Sequence, residues 1–345
     1  MVETYSQNDY TVGSLFAGVG GICQGFKNVG YSVSWANELD RHACDTYRLN
    51  HESTKLLQGD VNDLPIDELP QVTILTAGFP CQPFSVAGAK KGFNDKRGKV
   101  FYRVIDFLDT LKPKAFLLEN VRHLVNHDKG SSFKKVRLAI RGSGYSFIPF
   151  ILKSNEHCEI PQARERLYIV GFAGEMGCSY NSPIQTNNLK NLGCPMSSAF
   201  EVPVAFDQNM KSVKDYLSED SIDETDYYNK FDNHIHVKVS DAFQNDCIDS
   251  VYQYRRFFVR KNKSKVCPTL TANMGGGGHN VPIIHDGKGP RRLNPRECFN
   301  LQGFSPDFQL PEMGRLQLYK QAGNSVVIPV IEKIAQNMII SLNKQ

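Results

Sequence analysis

At 345 residues, of which 41% are hydrophobic and 22% charged, the chain can bury a sizeable core, and one large domain with a smaller one is the natural division. A mean hydropathy of −0.37 and the lack of any run near the ~18 apolar residues of a membrane helix argue for a soluble, cytoplasmic protein with no membrane partner. A net charge of +4 permits a nucleic-acid partner without demanding one. The nine cysteines are odd in number and form no Cys-x-x-Cys pair, so neither a metal site nor a disulfide framework is expected, and a reducing cytosol fits. Residues 1–10 carry no basic-then-apolar leader pattern.

Residues 11–16 read as a first strand, Ala17-Gly18-Val19-Gly20-Gly21 as a tight turn, and residues 22–29 as a helix, which is the opening of a nucleotide-type α/β fold. Cys23 breaks the Gly-x-Gly-x-x-Gly spacing and counts against a pyrophosphate site. Bare amides at a helix N-terminus still suit a carboxylate. Residues 32–37 read as a second strand ending at Glu38, about twenty residues past the glycine turn, where a carboxylate can accept from ribose hydroxyls. Asp60, in Gly59-Asp60-Val61, closes a short third strand and could accept from an adenine amino group.

An apolar run at residues 72–75 reads as a buried fourth strand. It delivers Cys81, held between Pro80 and Pro83, to the carboxyl end of the sheet, where open α/β folds place their chemistry. The prolines stiffen the backbone that aims the sulfur. The following segment sets Lys90, Lys91, Lys96, Arg97 and Lys99 among glycines, the composition of a lid that closes over something anionic. Residues 100–111 read as an amphipathic helix, and residues 115–118 as a fifth strand that carries Glu119-Asn120-Val121 to the same rim as Cys81. A helix at 130–141 and a strand at 145–152 follow. Gln162-Ala163-Arg164-Glu165-Arg166 then leads into a strand at 167–172. If that segment is extended, Gln162, Arg164 and Arg166 share one face.

Residues 181–250 are polar, acidic and rich in turn formers, which reads as an inserted, loop-rich region. The chain then becomes basic, interleaving Tyr252, Tyr254, Phe257 and Phe258 with Arg255, Arg256, Arg260, Lys261, Lys263 and Lys265, a composition suited to a nucleic-acid face. Thr269-Leu270 and the glycine run at 275–278 follow, and such a run lets a backbone lie close to a ligand. The chain ends in Gln321-Ala322-Gly323-Asn324-Ser325-Val326 and an apolar-periodic helix at 326–342. Asn324 or Ser325 is placed to cap that helix.

Gly-Phe-Pro-Cys-Gln-Pro-Phe-Ser at 78–85 resembles the nucleophile motif of the DNA cytosine-5 methyltransferases. The segments Phe-Ala-Gly-Val-Gly-Gly, Asn-Glu-Leu-Asp, Gly-Asp-Val, Glu-Asn-Val, Gln-x-Arg-x-Arg and Arg-Glu-x-x-x-Leu-Gln-Gly-Phe resemble the family's other motifs in their usual order. Ser14 stands where many members have Asp. The resemblance implies a Rossmann-like α/β sheet with helices on both faces, spanning residues 1–180. It adds a smaller, irregular, mostly β target-recognition domain at 181–292, and a return segment with the C-terminal helix at 293–345.

The resemblance also implies that S-adenosyl-L-methionine is the methyl donor. It would be bound by Phe16, Ala17, Gly18, Gly20, Gly21, Glu38, Leu39, Asp60, Val61, Pro80, Asn324, Ser325 and Val326. Cys81 is then the nucleophile on a flipped-out cytosine, assisted by Glu119, Arg164 and Arg166. Double-stranded DNA is the expected substrate of a monomeric enzyme, contacted by Gln82, Ser85, Lys91, Arg97, Arg255, Arg256, Arg260, Thr269, Gly276 and Gly277. A restriction endonuclease sharing the target site is the expected companion. A branch of the family acts on transfer RNA with the same motifs, so a tRNA substrate is the alternative. A nicotinamide oxidoreductase fails on the glycine spacing.

Overall fold

The computed structural model describes residues 10–80, 99–174, 200–205, 211–218, 222–228, 234–243, 250–255, 258–262, 265–275 and 281–344. The chain divides into two compact units. One comprises Met1–Leu152, Glu165–Val204 and Val330–Gln345, and the other Lys153–Arg164 and Ala205–Pro329. This division differs from the expected three segments. Residues 153–164 and most of the return segment group with the inserted region.

The first unit is built on a seven-stranded sheet. Strand β1 (Thr11–Leu15) runs parallel to β2 (Ser32–Glu38) on one side and to β4 (Ile74–Gly78) on the other. β2 continues to β3 (Lys55–Gln58), and β4 to β5 (Ala115–Val121), again parallel. β8 (Glu165–Ala173) joins β5 antiparallel, and β6 (Tyr145–Lys153) closes the order β3-β2-β1-β4-β5-β8-β6. The central strands are apolar on both faces because helices cover both, as in parallel sheets generally. These helices are α1 (Gly21–Asn28), α2 (Arg41–Asn50), α3 (Lys99–Leu111) and α4 (Ser131–Gly142).

Leu15, Leu75, Phe116 and Leu118 are fully buried in one core with Phe107 and Val136. Each such side chain contributes about 1.5–3 kcal/mol of burial. Trp35, the single tryptophan, lies against Gly13, where a Cβ would come within 2.3 Å of its ring. Its indole N–H donates to Pro70 O at 3.0 Å, which satisfies the one polar atom of a buried aromatic.

The second unit combines a small antiparallel sheet with helices, so among the described residues it is not the mostly β domain that was expected. Strands β9 (Tyr252–Arg255), β10 (Phe258–Lys261), β12 (Ile283–His285) and β13 (Pro290–Arg292) form an antiparallel sheet in the order β10-β9-β12-β13. Tyr252, Tyr254 and Ile283 pack with Val239 and Phe243 of the helix His234–Phe243 in a small separate core. A short parallel pair joins β7 (Gln162–Ala163) to β11 (Cys267–Pro268).

Asn294 and Glu297 cap the helix Pro295–Asn300 reciprocally, with proline in its first turn, where a missing N–H costs nothing. Arg291 is fully buried and holds Glu297 bidentately at 2.8 and 2.7 Å and Asp286 at 2.6 Å.

Three local expectations are corrected. The third strand ends at Gln58, and Asp60 lies two residues past it as the cap of a 3-10 turn. A helix at Arg315–Asn324 precedes the last helix, which begins at Ile328. Asn324 therefore ends one helix and Ser325 caps its C-terminus, so neither caps the next. Pro329, in the first turn of that next helix, sets its start. Finally, Gln162, Arg164 and Arg166 do not lie on one continuous strand. β7 pairs with β11 while β8 pairs with β5, so the ladder breaks at Arg164.

Candidate active site

The sheet reverses its direction of growth at β1. The chain leaves β1 through α1 to reach β2, whereas β4 sits on the opposite side. The carboxyl ends of β1 and β4 thus open onto the crevice where α/β sheets of this kind bind ligands. The turn after β1 carries left-handed backbone at Phe16 (φ 54), Gly18 (φ 58) and Gly20 (φ 90). Phe16 is a non-glycine residue in that region, and such strain gathers at ligand-binding turns. Gly20 has a second constraint. A Cβ there would lie 2.0 Å from His51 Nε2 and 2.5 Å from its Cδ2.

Glu38 laces this turn to the end of β2. Its Oε2 accepts from the Gly18 N–H at 2.7 Å, and its Oε1 from the N–H groups of Leu39 and Asp40 at 2.8 and 2.7 Å. A carboxylate offers about four acceptor sites, so among the described residues one remains on Oε2 for a ligand hydroxyl. Leu39 beside it is 65% exposed and presents apolar surface. Asp60 is exposed, and its Oδ1 accepts from the backbone and side chain of Asn62 at 2.9 and 2.8 Å.

Sequence reasoning missed the residue that ties these segments together. Asn37 is 1% exposed. Its Nδ2 donates to Leu57 O and Gly59 O at 2.9 and 3.0 Å, and its carbonyl accepts from the Ala17 N–H at 2.9 Å. The signal was a polar residue at the end of an apolar strand. His51 was missed as well. Burial, aided by the charge of Lys27 and opposed by a backbone hydrogen bond at Val19, pushes its pKa down to about 3. Lys27 Nζ lies 3.2 Å from its Nδ1, and its ring packs on Tyr47 with centroids 4.4 Å apart. A neutral imidazole thus supports the glycine turn from behind.

Glu119 and Arg166 meet at the same rim. Gly78 pairs with Glu119 across β4 and β5, and Val121 pairs with Arg166 across β5 and β8. Glu119 and Val121 share a face, so Arg166 lies diagonally from Glu119 and within reach of it. Arg166 Nε is 3.1 Å from Glu119 Oε1, with both side chains largely buried. Gly78 leaves room there, because a Cβ on it would stand 3.5 Å from Glu119 Oε2. Asn120, also overlooked as a contributor, is 3% exposed and donates from Nδ2 to Phe79 O at 2.8 Å. It pins the backbone directly ahead of Pro80 and Cys81. Phe79 anchors the same point, packing on Phe101 with ring centroids 5.2 Å apart.

The sequence model of the C-5 cytosine-specific DNA methylases matches residues 10–340. The chain belongs to that family. It is 42% identical over 334 residues to the Type II methyltransferase M.Bsp6I of Bacillus sp. (strain RFL6), covering 96% of this chain and 99% of the relative. It is 32% identical over 340 residues to the Type II methyltransferase M.HhaI of Haemophilus parahaemolyticus, covering 95% and 94%. The fold matches that of the S. pombe Dnmt2 methyltransferase with a TM-score of 0.66 at 21% identity, over 96% of this chain and 98% of that one. The protein is a DNA cytosine-5 methyltransferase of the bacterial restriction-modification type.

Other expected site residues of this methyltransferase have backbone partners within the second unit. Arg164 belongs to the second unit, is 3% exposed, and donates to the backbone. Its Nη1 reaches Leu270 O at 2.8 Å, and its Nη2 reaches Gly323 O at 3.1 Å and also Ser325 O. Gln162 Nε2 donates to Leu301 O at 2.8 Å, and its Oε1 accepts from the Leu270 N–H at 3.1 Å. Thr269 spends its hydroxyl on Ala163 O at 2.6 Å. The Gln-x-Arg half of the motif therefore clasps the Thr-Leu and Gly-Asn-Ser segments, while Arg166 reaches Glu119. Arg255 and Arg260 are exposed on the β9–β10 hairpin. Cys81, Gln82, Ser85, Lys91, Arg97, Arg256, Gly276 and Gly277 lie outside the described residues.

Proposed function

We propose that this chain methylates carbon 5 of a cytosine flipped out of a specific duplex DNA site, through a transient bond between Cys81 and carbon 6. It would act as a monomer in the cytoplasm, as the modification partner of an endonuclease that shares the site. The observation that carries this reading is the Glu119–Arg166 pair at 3.1 Å. Glu119 stands on β5, next to the strand β4 that leads toward Pro80, and Asn120 beside it holds the Phe79 carbonyl.

Residues present at the β1–β4 crevice fit S-adenosyl-L-methionine. Glu38, which retains an acceptor site, would hold a ribose hydroxyl, the exposed Leu39 would offer apolar surface to the adenine ring, and the exposed Asp60 would accept from its amino group. Gly18 has open space where a Cβ would be, so the loop backbone can lie against the ligand. When bound, this group supplies the electrophilic methyl that carbon 5 accepts.

Carbon 5 of cytosine is a poor nucleophile in the intact ring. The Cys81 thiolate adds to carbon 6, the 5,6 π bond opens, and carbon 5 becomes enamine-like. Glu119 holds the base at N3 and N4, where charge develops, and Arg166 holds Glu119 in place. Loss of the carbon-5 proton to a base then re-forms the double bond and breaks the sulfur–carbon 6 bond, which returns the thiolate.

Duplex DNA carrying 5-fluorocytosine tests the whole sequence, because fluorine cannot leave as a proton does. The wild-type chain should form a detergent-stable adduct, and Cys81→Ala should form none while still binding the duplex. An adduct with Cys81→Ala, or methyl transfer to tRNA but not to duplex DNA, would overturn the reading.

A further inference from the structure

The β9–β10 hairpin has two unlike faces. In its register Tyr254 stands opposite Val259 and Tyr252 opposite Lys261, while Arg255 stands opposite Phe258 and Gln253 opposite Arg260. Strand alternation puts Tyr252, Tyr254 and Val259 on the side that packs with Phe243 and Ile283. The other side carries Gln253, Arg255, Phe258 and Arg260. Phe258 is 59% exposed. Arg255 and Arg260 are exposed too, and no ion pair among the described residues joins either one. Neither strand contains an acidic residue.

Arg255 is not a loose surface arginine. Its Nη2 donates to Gln253 Oε1 at 2.9 Å, and Gln253 is only 8% exposed, so the guanidinium is braced from a nearly immobile side chain. Directly across the ladder, with Cβ atoms about 5 Å apart, Phe258 holds a bare aromatic ring beside it. A two-stranded ribbon fits the major groove. There a guanidinium pairs bidentately with guanine O6 and N7, and an apolar side chain meets the C5 edge of a pyrimidine.

We propose that this face is the base-reading surface of the chain. Arg255, oriented by Gln253, reads a guanine. Phe258 lies against the C5 edge of the pyrimidine in the neighbouring pair, and Arg260 holds a phosphate. The proposal rests on duplex DNA being the substrate and names the residues that choose the site.

The test uses the full chain and a duplex site selected by binding from a random pool, so it does not depend on methyl transfer. Each guanine is replaced in turn by 7-deazaguanine, which lacks N7, and affinity is read by fluorescence anisotropy. Wild-type affinity should fall about 5- to 150-fold at one guanine. Arg255→Ala should bind the unmodified site weakly and be indifferent to that replacement. Arg255→Lys, which keeps the charge but loses the fork, should be indifferent as well. Phe258→Ala should relax the preference at the adjacent pair. Arg260→Ala should weaken all duplexes alike and lower the salt slope by about one. The proposal is overturned if folded Arg255→Ala and Arg255→Lys both remain as sensitive as wild type at every guanine. A wild-type chain that selects its site but transfers no methyl group would sink the catalytic reading and leave this one standing.

Discussion

The glycine turn makes a quantitative claim about Gly20. Replacing it with alanine meets two separate obstacles. The φ of 90° costs an L-residue about 1–2 kcal/mol. The new methyl would also lie 2.0 Å from His51 Nε2, 2.5 Å from its Cδ2 and 3.0 Å from Tyr47 Cε2. Both side chains are buried, so neither can swing aside cheaply, and overpacking of this kind costs about 1–3 kcal/mol. Gly20→Ala should therefore lose about 2–5 kcal/mol in urea unfolding.

Gly18→Ala provides the contrast. Its φ is 58°, but nothing lies within 4 Å of the new methyl, so only the backbone cost of about 1–2 kcal/mol remains. His51→Ala removes the ring that Gly20→Ala strikes, and the double variant should recover about 1–3 kcal/mol relative to additivity. Gly18→Ala should show no such coupling with His51→Ala. If Gly20→Ala and His51→Ala add to within about 0.5 kcal/mol, the close approach of turn and imidazole is wrong.

Asn120→Ala leaves the Phe79 carbonyl without its buried donor, at about 1–3 kcal/mol. It should lower kcat for methyl transfer more than it weakens cofactor binding, and an unchanged kcat would refute its positioning role. His51 gives a pH signature. Its folded pKa of about 3 lies below the ordinary 6.5, so the unfolded chain binds the proton first. Its stability contribution is complete above pH 6.5 and declines toward pH 3, by up to about 1.4 kcal/mol per pH unit. Urea midpoints measured from pH 7 to 5 should fall more steeply for wild type than for His51→Gln, and parallel slopes would count against a buried neutral imidazole. Arg164→Met strips donors from the carbonyls of Leu270, Gly323 and Ser325 and should cost about 3 kcal/mol or more. A loss under about 1 kcal/mol by urea unfolding would mean the clasp carries no load.

Local pattern sufficed for the frame of the catalytic unit. Apolar runs ending in glycine or acidic residues gave the strands β1, β2, β4 and β5, because a strand buried on both faces must be continuously apolar. Fold topology then sends their carboxyl ends to one rim, so Glu38 and Glu119 could be placed there from chain order alone. Alternation misled at 162–166, because a period of two describes a strand only while one partner accompanies it. Here β11 takes the first half and β5 the second.

The sequence by itself thus determined which residue types stand at the carboxyl ends of the parallel strands, since periodicity, turn chemistry and family motifs are all written over short stretches of chain. Tertiary structure decided what each of them touches. It set His51 behind Gly20, Asn120 on Phe79, Arg166 on Glu119, and Arg164 on carbonyls 106 to 161 residues away. Those pairings join positions that no local pattern links. They exist because a buried polar group must find whichever partner the packed chain brings within reach.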